Sequence, residues 1–179
     1  NRQVRKTSED LRVRSGGEVQ AISEADEQAQ YELALEGQGI VSASSLAEAI
    51  RSGRVDPNDL LLKLEDFISA QEQERIRREN PDEVEVDGEV LPVEYGRSFS
   101  NFYIRTEVSE EFARAAKAEG VALPGGRAVE IRCSGHSAMT FHGLVAKLEK
   151  ARIDKAWRER RSELENRFWV YEPEKILPR

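Results

Sequence analysis

No stretch of this chain limits its fold more than residues 83–95, which read Glu-Val-Glu-Val-Asp-Gly-Glu-Val-Leu-Pro-Val-Glu-Tyr. Val84 and Val86 alternate with acids, the period of a strand with one buried face. Asp87-Gly88 accepts the positive φ values of a two-residue type I′ turn, whose twist matches paired strands. A second apolar run follows, so the pattern predicts a hairpin over residues 84–95 turning at Asp87-Gly88. Pro92 has no N–H to give to a ladder, and its strand is expected at an edge or bulged there.

Upstream of this hairpin the apolar period is helical. Residues 1–22 are polar, with a basic run of Arg2, Arg5, Lys6, Arg12 and Arg14 and a break at Gly16-Gly17, and are expected to be a linker or boundary segment. Ser23 and Asp26 form an approximate capping box. It opens a helix carrying Tyr31, Leu33, Ala34 and Leu35, stopped by Gly37 and Gly39. A short helix follows over residues 44–52. Asp56-Pro57 is a start signal for a third helix. That helix is expected to pack Leu60, Leu61, Leu64, Phe67 and Ile68 on one stripe, to project its charged residues 71–79 into solvent, and to end at Asn80-Pro81. Residues 23–80 thus read as a helical subdomain.

Residues 81–179 read as an α+β domain. Residues 99–106 are a further strand, Ser109 caps a helix running through Glu119, and residues 127–132 are another strand. A long basic helix covers residues 140–166, and Phe168-Trp169-Val170-Tyr171 is a short strand or packed tail. Strands do not alternate regularly with crossovers. The expected class is α+β: an N-terminal helical subdomain followed by a small antiparallel sheet with two packed helices, not a doubly wound fold.

Composition narrows the function classes. No apolar run approaches the ~20 residues needed to cross a bilayer, and no membrane partner is expected. One cysteine, Cys133, excludes a disulfide framework and fits a reducing compartment, so a cytoplasmic location is expected. The first residue is Asn and the one methionine is Met139, so the chain is expected to be a piece of a longer protein or a processed chain. Net charge is −7, unevenly spread: residues 1–96 carry 11 cations against 22 acids, residues 97–179 carry 16 against 12. An acidic half repels phosphate, whereas a basic half is compatible with local nucleic-acid contact.

Catalytic signatures are weak. Cys133, His136 and His142 gather the thiol and both imidazoles, but a zinc site wants four ligands or three plus water, and this spacing matches no familiar zinc module. Cys133 with His136 as nucleophile and base would also need a positioned imidazole and an oxyanion pocket, which adjacency does not supply. There is no Gly-x-Ser-x-Gly elbow and no Walker-type phosphate loop. Neither a catalytic residue, a metal nor a cofactor is expected.

Binding signals are stronger. On a strand, Phe99, Asn101, Tyr103 and Arg105 share one face, and Ser100, Phe102 and Ile104 the other. With Phe102 and Ile104 in the core, the first face offers two aromatics and a guanidinium, which suits base stacking and phosphate. Half-buried strands also carry aromatics for packing alone. Arg97, Arg105, Arg127, Arg132, Lys147 and Lys150 are the candidate phosphate contacts, with Phe99 and Tyr103 as stacking candidates. In the long helix the stripe Phe141, Leu144, Val145, Leu148, Ala151 is expected to pack on the sheet, then to drift towards Ala156, Trp157 and Leu164. Trp157, Phe168, Trp169 and Tyr171 are the candidate anchors for a protein partner.

Residues 80–95, in which a charged helix ends at Asn80-Pro81 and the hairpin runs to Pro92-Val93-Glu94-Tyr95, resemble a hairpin in the C-terminal accessory regions of bacterial DEAH-box helicases of the HrpA/HrpB type. The turn and strand of residues 123–131, Leu-Pro-Gly-Gly-Arg-Ala-Val-Glu-Ile, are similar to a segment of the same tails. The resemblance covers about 25 residues, and the helicase motifs themselves are absent. It implies an accessory module beside an ATPase core that would lie before Asn1, helping to grip RNA or to dock partners. The leading reading is therefore a non-catalytic accessory domain of a nucleic-acid-remodelling ATPase, contacting single-stranded RNA or DNA. The alternative is a protein-interaction module with an aromatic C-terminal anchor, binding other domains of the same chain or a separate protein.

Overall fold

In the computed structural model, which describes residues 2–169 with side chains through Arg167, the Asp-Gly turn forms as expected. Strands β1 (Glu83–Val86) and β2 (Glu89–Pro92) pair as a two-stranded sheet. Asp87 and Gly88 take φ of 51° and 84°, the left-handed pair of a type I′ turn. Val84 and Val86 are buried and the intervening acids exposed. Pro92 closes β2, and Tyr95 already belongs to β3 (Glu94–Ser98).

The class is α+β. Four helices precede the hairpin: α1 (Arg2–Arg14), α2 (Glu24–Glu36), α3 (Ala43–Arg51) and α4 (Ala70–Glu79). After β3 come β4 (Asn101–Glu107), α5 (Glu110–Ala115), β5 (Val121–Ala122), β6 (Ala128–Cys133), β7 (His136–Ala138) and α6 (Phe141–Trp169). The larger sheet has the order β3-β4-β6-β5, with β7 paired to β6. Its β4–β6 pair is parallel, with Thr106 opposite Ile131, whereas β6–β7 is antiparallel. β7 was not foreseen; Ser134 and Gly135, with φ of 50° and 82°, form a second tight turn of the kind seen at Asp87-Gly88.

The chain divides into two compact units whose segments interleave: residues 1–84, 93–104 and 122–127 in the first, residues 85–92, 105–121 and 128–179 in the second. This differs from the division at residues 22 and 80. Residues 2–14 are a helix, not a linker. Val4, Ser8 and Leu11 form its buried stripe. Ser8 hides that stripe from a hydropathy reading; its hydroxyl donates to the Arg5 carbonyl at 2.8 Å and accepts from the Ile22 amide at 3.1 Å.

The helix expected from Asp56-Pro57 is also absent. Asp56 does cap the Asn58 amide at 2.8 Å, but only a 3₁₀ turn follows, Pro57–Leu60. Leu61 is extended, a second 3₁₀ turn spans Leu64–Asp66, and α4 starts afresh from a Ser69 cap. The apolar residues serve two separate clusters, which explains the break. Leu60 joins Ile40, Ala49 and Val55, whereas Ile68 joins Leu11 and Ile76. A single helix presents one stripe to one surface, so packing overrides the start signal. The charged residues 71–79 accordingly do not project freely: α4 buries Gln73 and Ile76.

In the second unit α6 packs on β6, β7 and α5. Phe141, Leu144 and Leu148 are buried, and the Phe112 and Phe141 rings meet edge to face at 5.7 Å. Helix α5 stops at Ala115, short of Glu119. Ala116 turns extended, and the next two amides, of Lys117 and Ala118, donate to the Asp87 carboxylate at 2.7 and 3.2 Å.

Candidate interaction surfaces

The aromatic strand face assembles only in part. Phe99 is not on β4 but in the turn between β3 and β4, with φ 54° and 95% of its surface exposed. The Arg97 guanidinium fixes that turn, donating from Nε to the Phe99 carbonyl at 2.7 Å, and pairs with Glu9 at 3.6 Å. Tyr103 stands on β4 as expected, but its side chain lies against Gly96 of β3, where an added Cβ would fall 2.0 Å from the Tyr103 Cζ. Its hydroxyl is 3.4 Å from a Glu94 carboxylate oxygen. Tyr103 is therefore half-buried by its neighbour strand, not presented as a flat stacking surface. Phe102 and Ile104 do point to the core side, and the Arg12 guanidinium lies 5.8 Å from the Phe102 ring centre.

Arg127 is tied into the fold through one of its guanidinium nitrogens. Its Nη1 donates to the Arg14 carbonyl at 2.7 Å and to Asn80 Oδ1 at 3.0 Å. Arg14 in turn donates to the Asn80 carbonyl at 2.8 Å and to Asp82 at 2.5 Å, and its guanidinium lies 5.0 Å from the centre of the Tyr95 ring. The Tyr95 hydroxyl donates to the Pro81 carbonyl at 2.7 Å. Burial pushes the Tyr95 phenol up to about 12, although Arg14 and Arg127 oppose the shift. Six residues from four parts of the chain thus form one network at the ends of α1 and α4. The sequence marked Asn80-Pro81 as a helix stop, and nothing in it tied that stop to Arg14 or Arg127.

The remaining candidate cations sit among acids. Arg105 lies opposite Glu130, and Glu107 opposite Arg132, on the solvent side of the β4–β6 pair. Lys147 donates its ammonium to the Ser137 carbonyl; Lys150 is exposed on α6. Neighbouring Arg114 bridges Glu110 and Glu149. The second unit as a whole holds 14 cations against 15 acids, so the basic character of residues 97–179 does not survive as a basic unit. The expected phosphate contacts divide between the two units and form no single basic stripe within either.

Helix α6 provides the other candidate surface. Residues 152–167 are exposed without interruption. Ile153, Trp157 and Leu164 expose 52%, 69% and 45% of their surfaces. At about 100° per residue these three fall within about 40° of one another, while Phe141, Leu144 and Leu148 lie on the opposite side of the helix. The distal stripe is thus a new face and not a drift of the packed one. Phe168 and Trp169 belong to α6, but their side chains lie outside the described residues, as does Tyr171.

Cys133 is buried, and its thiol lies 3.7 Å from the Ser134 hydroxyl. His136 is its register partner across β6–β7, whereas His142 is exposed on α6. Among the described residues no three His, Cys, Asp or Glu side chains gather as metal ligands, and no helix is long and apolar enough to cross a membrane. A groove in the first unit is lined by Ile22, Ala29, Leu33, Phe67 and Ile68, together with Asp26 and Glu72. Asp26 is committed to the capping box of α2, which holds its carboxyl below the usual range, and Glu72 to Arg75, which does the same. No family model, curated protein or solved structure matches the chain.

Proposed function

We propose that this chain is a non-catalytic module that works by binding a protein partner through the distal half of α6. The observation that carries this reading is the exposed stripe of Ile153, Trp157 and Leu164 on a helix stretch whose residues 152–167 are all exposed. A helix with no tertiary contact is marginal in water and is ordinarily polar all round. Three large apolar residues on one line make poor use of such a surface unless something covers them, and Trp is the residue type most enriched among binding hot spots. The test places a photo-crosslinking phenylalanine at position 157 or, as control, at Ser162 on the opposite side of the same helix. A discrete protein adduct from 157 and none from 162 is expected; equal labelling, or none at either position, would sink the reading.

One observation favours the nucleic-acid accessory role. Phe99 combines almost complete exposure with a left-handed backbone that costs a bulky residue of order 1–3 kcal/mol. Strain of this kind persists at sites that use it, and an exposed ring beside Arg97 could stack a base. Fluorescence anisotropy with a short single-stranded RNA at two salt concentrations tests it. Binding that weakens steeply with salt and falls with Phe99→Ala would move the assignment there.

A further inference from the structure

The distal stripe of α6 has charge flanks that identify its occupant. Residues 152–158 carry three cations and one acid, and residues 159–165 carry two cations and three acids. A helix charged this way is complementary to itself when reversed. We propose that the occupant is a second copy of this chain, and that two α6 helices pair antiparallel about a twofold axis between Arg158 and Glu159. This rests on the protein-binding reading above and names the partner.

The register follows from the stripe. Ile153, Trp157, Arg160 and Leu164 repeat at the alternating four-and-three spacing of a helix–helix seam. Reversal about the axis sets Ile153 against Leu164 of the second copy and Trp157 against its Arg160. Each layer then occurs twice, as an isologous twofold interface requires. A guanidinium over an indole face is favourable as a cation–π contact, which gives Arg160 a partner within an otherwise apolar seam. Asp154 and Arg161 occupy the positions flanking the seam, and reversal brings Asp154 of one copy beside Arg161 of the other. Within one helix these two are seven residues, about 10 Å, apart and do not pair. Arg161 pairs instead with Glu165 at 2.8 Å. A parallel pair would set Arg160 in the seam against Arg160 of the second copy, so charge selects the antiparallel arrangement.

The seam is bounded. Continued outward, it would oppose Lys150 to Arg167 of the second copy, and like charges end it there. A contact of about 20 Å with three apolar residues a side lies at the small end of specific interfaces, so association is expected at micromolar or higher concentration. The face is open, because the residues packing α6 onto the second unit lie on the other side of the helix.

Sedimentation velocity of the full chain over about 10–500 µM provides the test, since a weak dimer grows with concentration by mass action. The mass is expected to rise from the 20.3 kDa monomer towards twice that value. Trp157→Asp should hold it at the monomer. Asp154→Arg and Arg161→Asp should each weaken association about tenfold or more, and the double variant should restore it to within about threefold, the signature of a direct pair. Neither swap mends a contact within a single helix, so rescue reports the pairing between copies, and circular dichroism checks that each variant keeps its helix. A chain that stays monomeric throughout, or a double variant without rescue, overturns the antiparallel dimer. If it stays monomeric yet crosslinks from position 157 to a different protein, the dimer fails and the protein-binding reading stands; with no adduct at all, both fail.

Discussion

Arg127 shows how far a residue's chemistry and its use can separate. A cation at the start of a strand reads as a surface charge, and only its contacts across 113 and 47 residues, to Arg14 and Asn80, make it a structural bolt. Arg127→Ala would leave the Arg14 carbonyl and Asn80 Oδ1 without their donor, and Asn80 is buried. A loss of roughly 1–3 kcal/mol is expected by urea unfolding, where a surface cation would give almost none. Tyr95 in the same network makes a pH prediction. Its phenol is raised to about 12 in the folded chain, against about 10 when unfolded. Because the folded state disfavours the phenolate, this contribution is fully present below pH 10 and is lost as pH rises from 10 to 12. Stability should fall more steeply over that window than in Tyr95→Phe, read by thermal unfolding at several alkaline pH values. Neither role was legible in the sequence, since each depends on partners that only the fold brings near.

Most elements whose signals are local were legible, β7 behind its Ser134-Gly135 turn being the exception, and those that depend on distant packing were not. The hairpin at Asp87-Gly88, the capping box at Ser23 and the cap at Ser109 rest on residues within four positions of one another, whereas the Ser69 cap lies inside the longer helix that the sequence pattern predicts. The missed elements fail for a common reason. Helix α1 hides because Ser8 occupies a buried position, and the run from Pro57 to Ile68 breaks because two clusters divide its leucines and Ile68. The hairpin allows a clean measurement. A Cβ built on Gly88 meets no atom within 4 Å, so a substitution there is opposed by backbone conformation alone. Gly88→Val is expected to cost about 1–2 kcal/mol, because a β-branched residue resists a φ of 84°, whereas Gly88→Asn should cost much less. Equal losses for both in denaturant unfolding would show that the turn is not held in the left-handed region.

At the scale of the whole molecule, stability is unevenly distributed along α6. Up to Leu148 the helix is held by buried side chains on β6, β7 and α5, and beyond Ala151 the described residues through Arg167 are all exposed, with exposed ion pairs such as Lys155–Glu159 at 3.9 Å. Exposed pairs contribute little, so the distal turns should open locally without disturbing the rest. The exposed stripe lies on the face opposite the packed one, and the sequence pattern does not show this, because a stripe that jumps half a turn looks like a gradual drift along a linear sequence. Ending the chain after Ala151 separates the two halves experimentally. The melting temperature at low concentration is expected to stay within about 2 °C of the full chain, with far-UV circular dichroism losing the signal of the missing turns. A fall of more than about 5 °C would mean that the distal helix stabilises the fold directly. Stability that is unchanged at low concentration but lower than the full chain's at high concentration would instead assign the distal helix its stabilising effect through association, as a covered Trp157 requires.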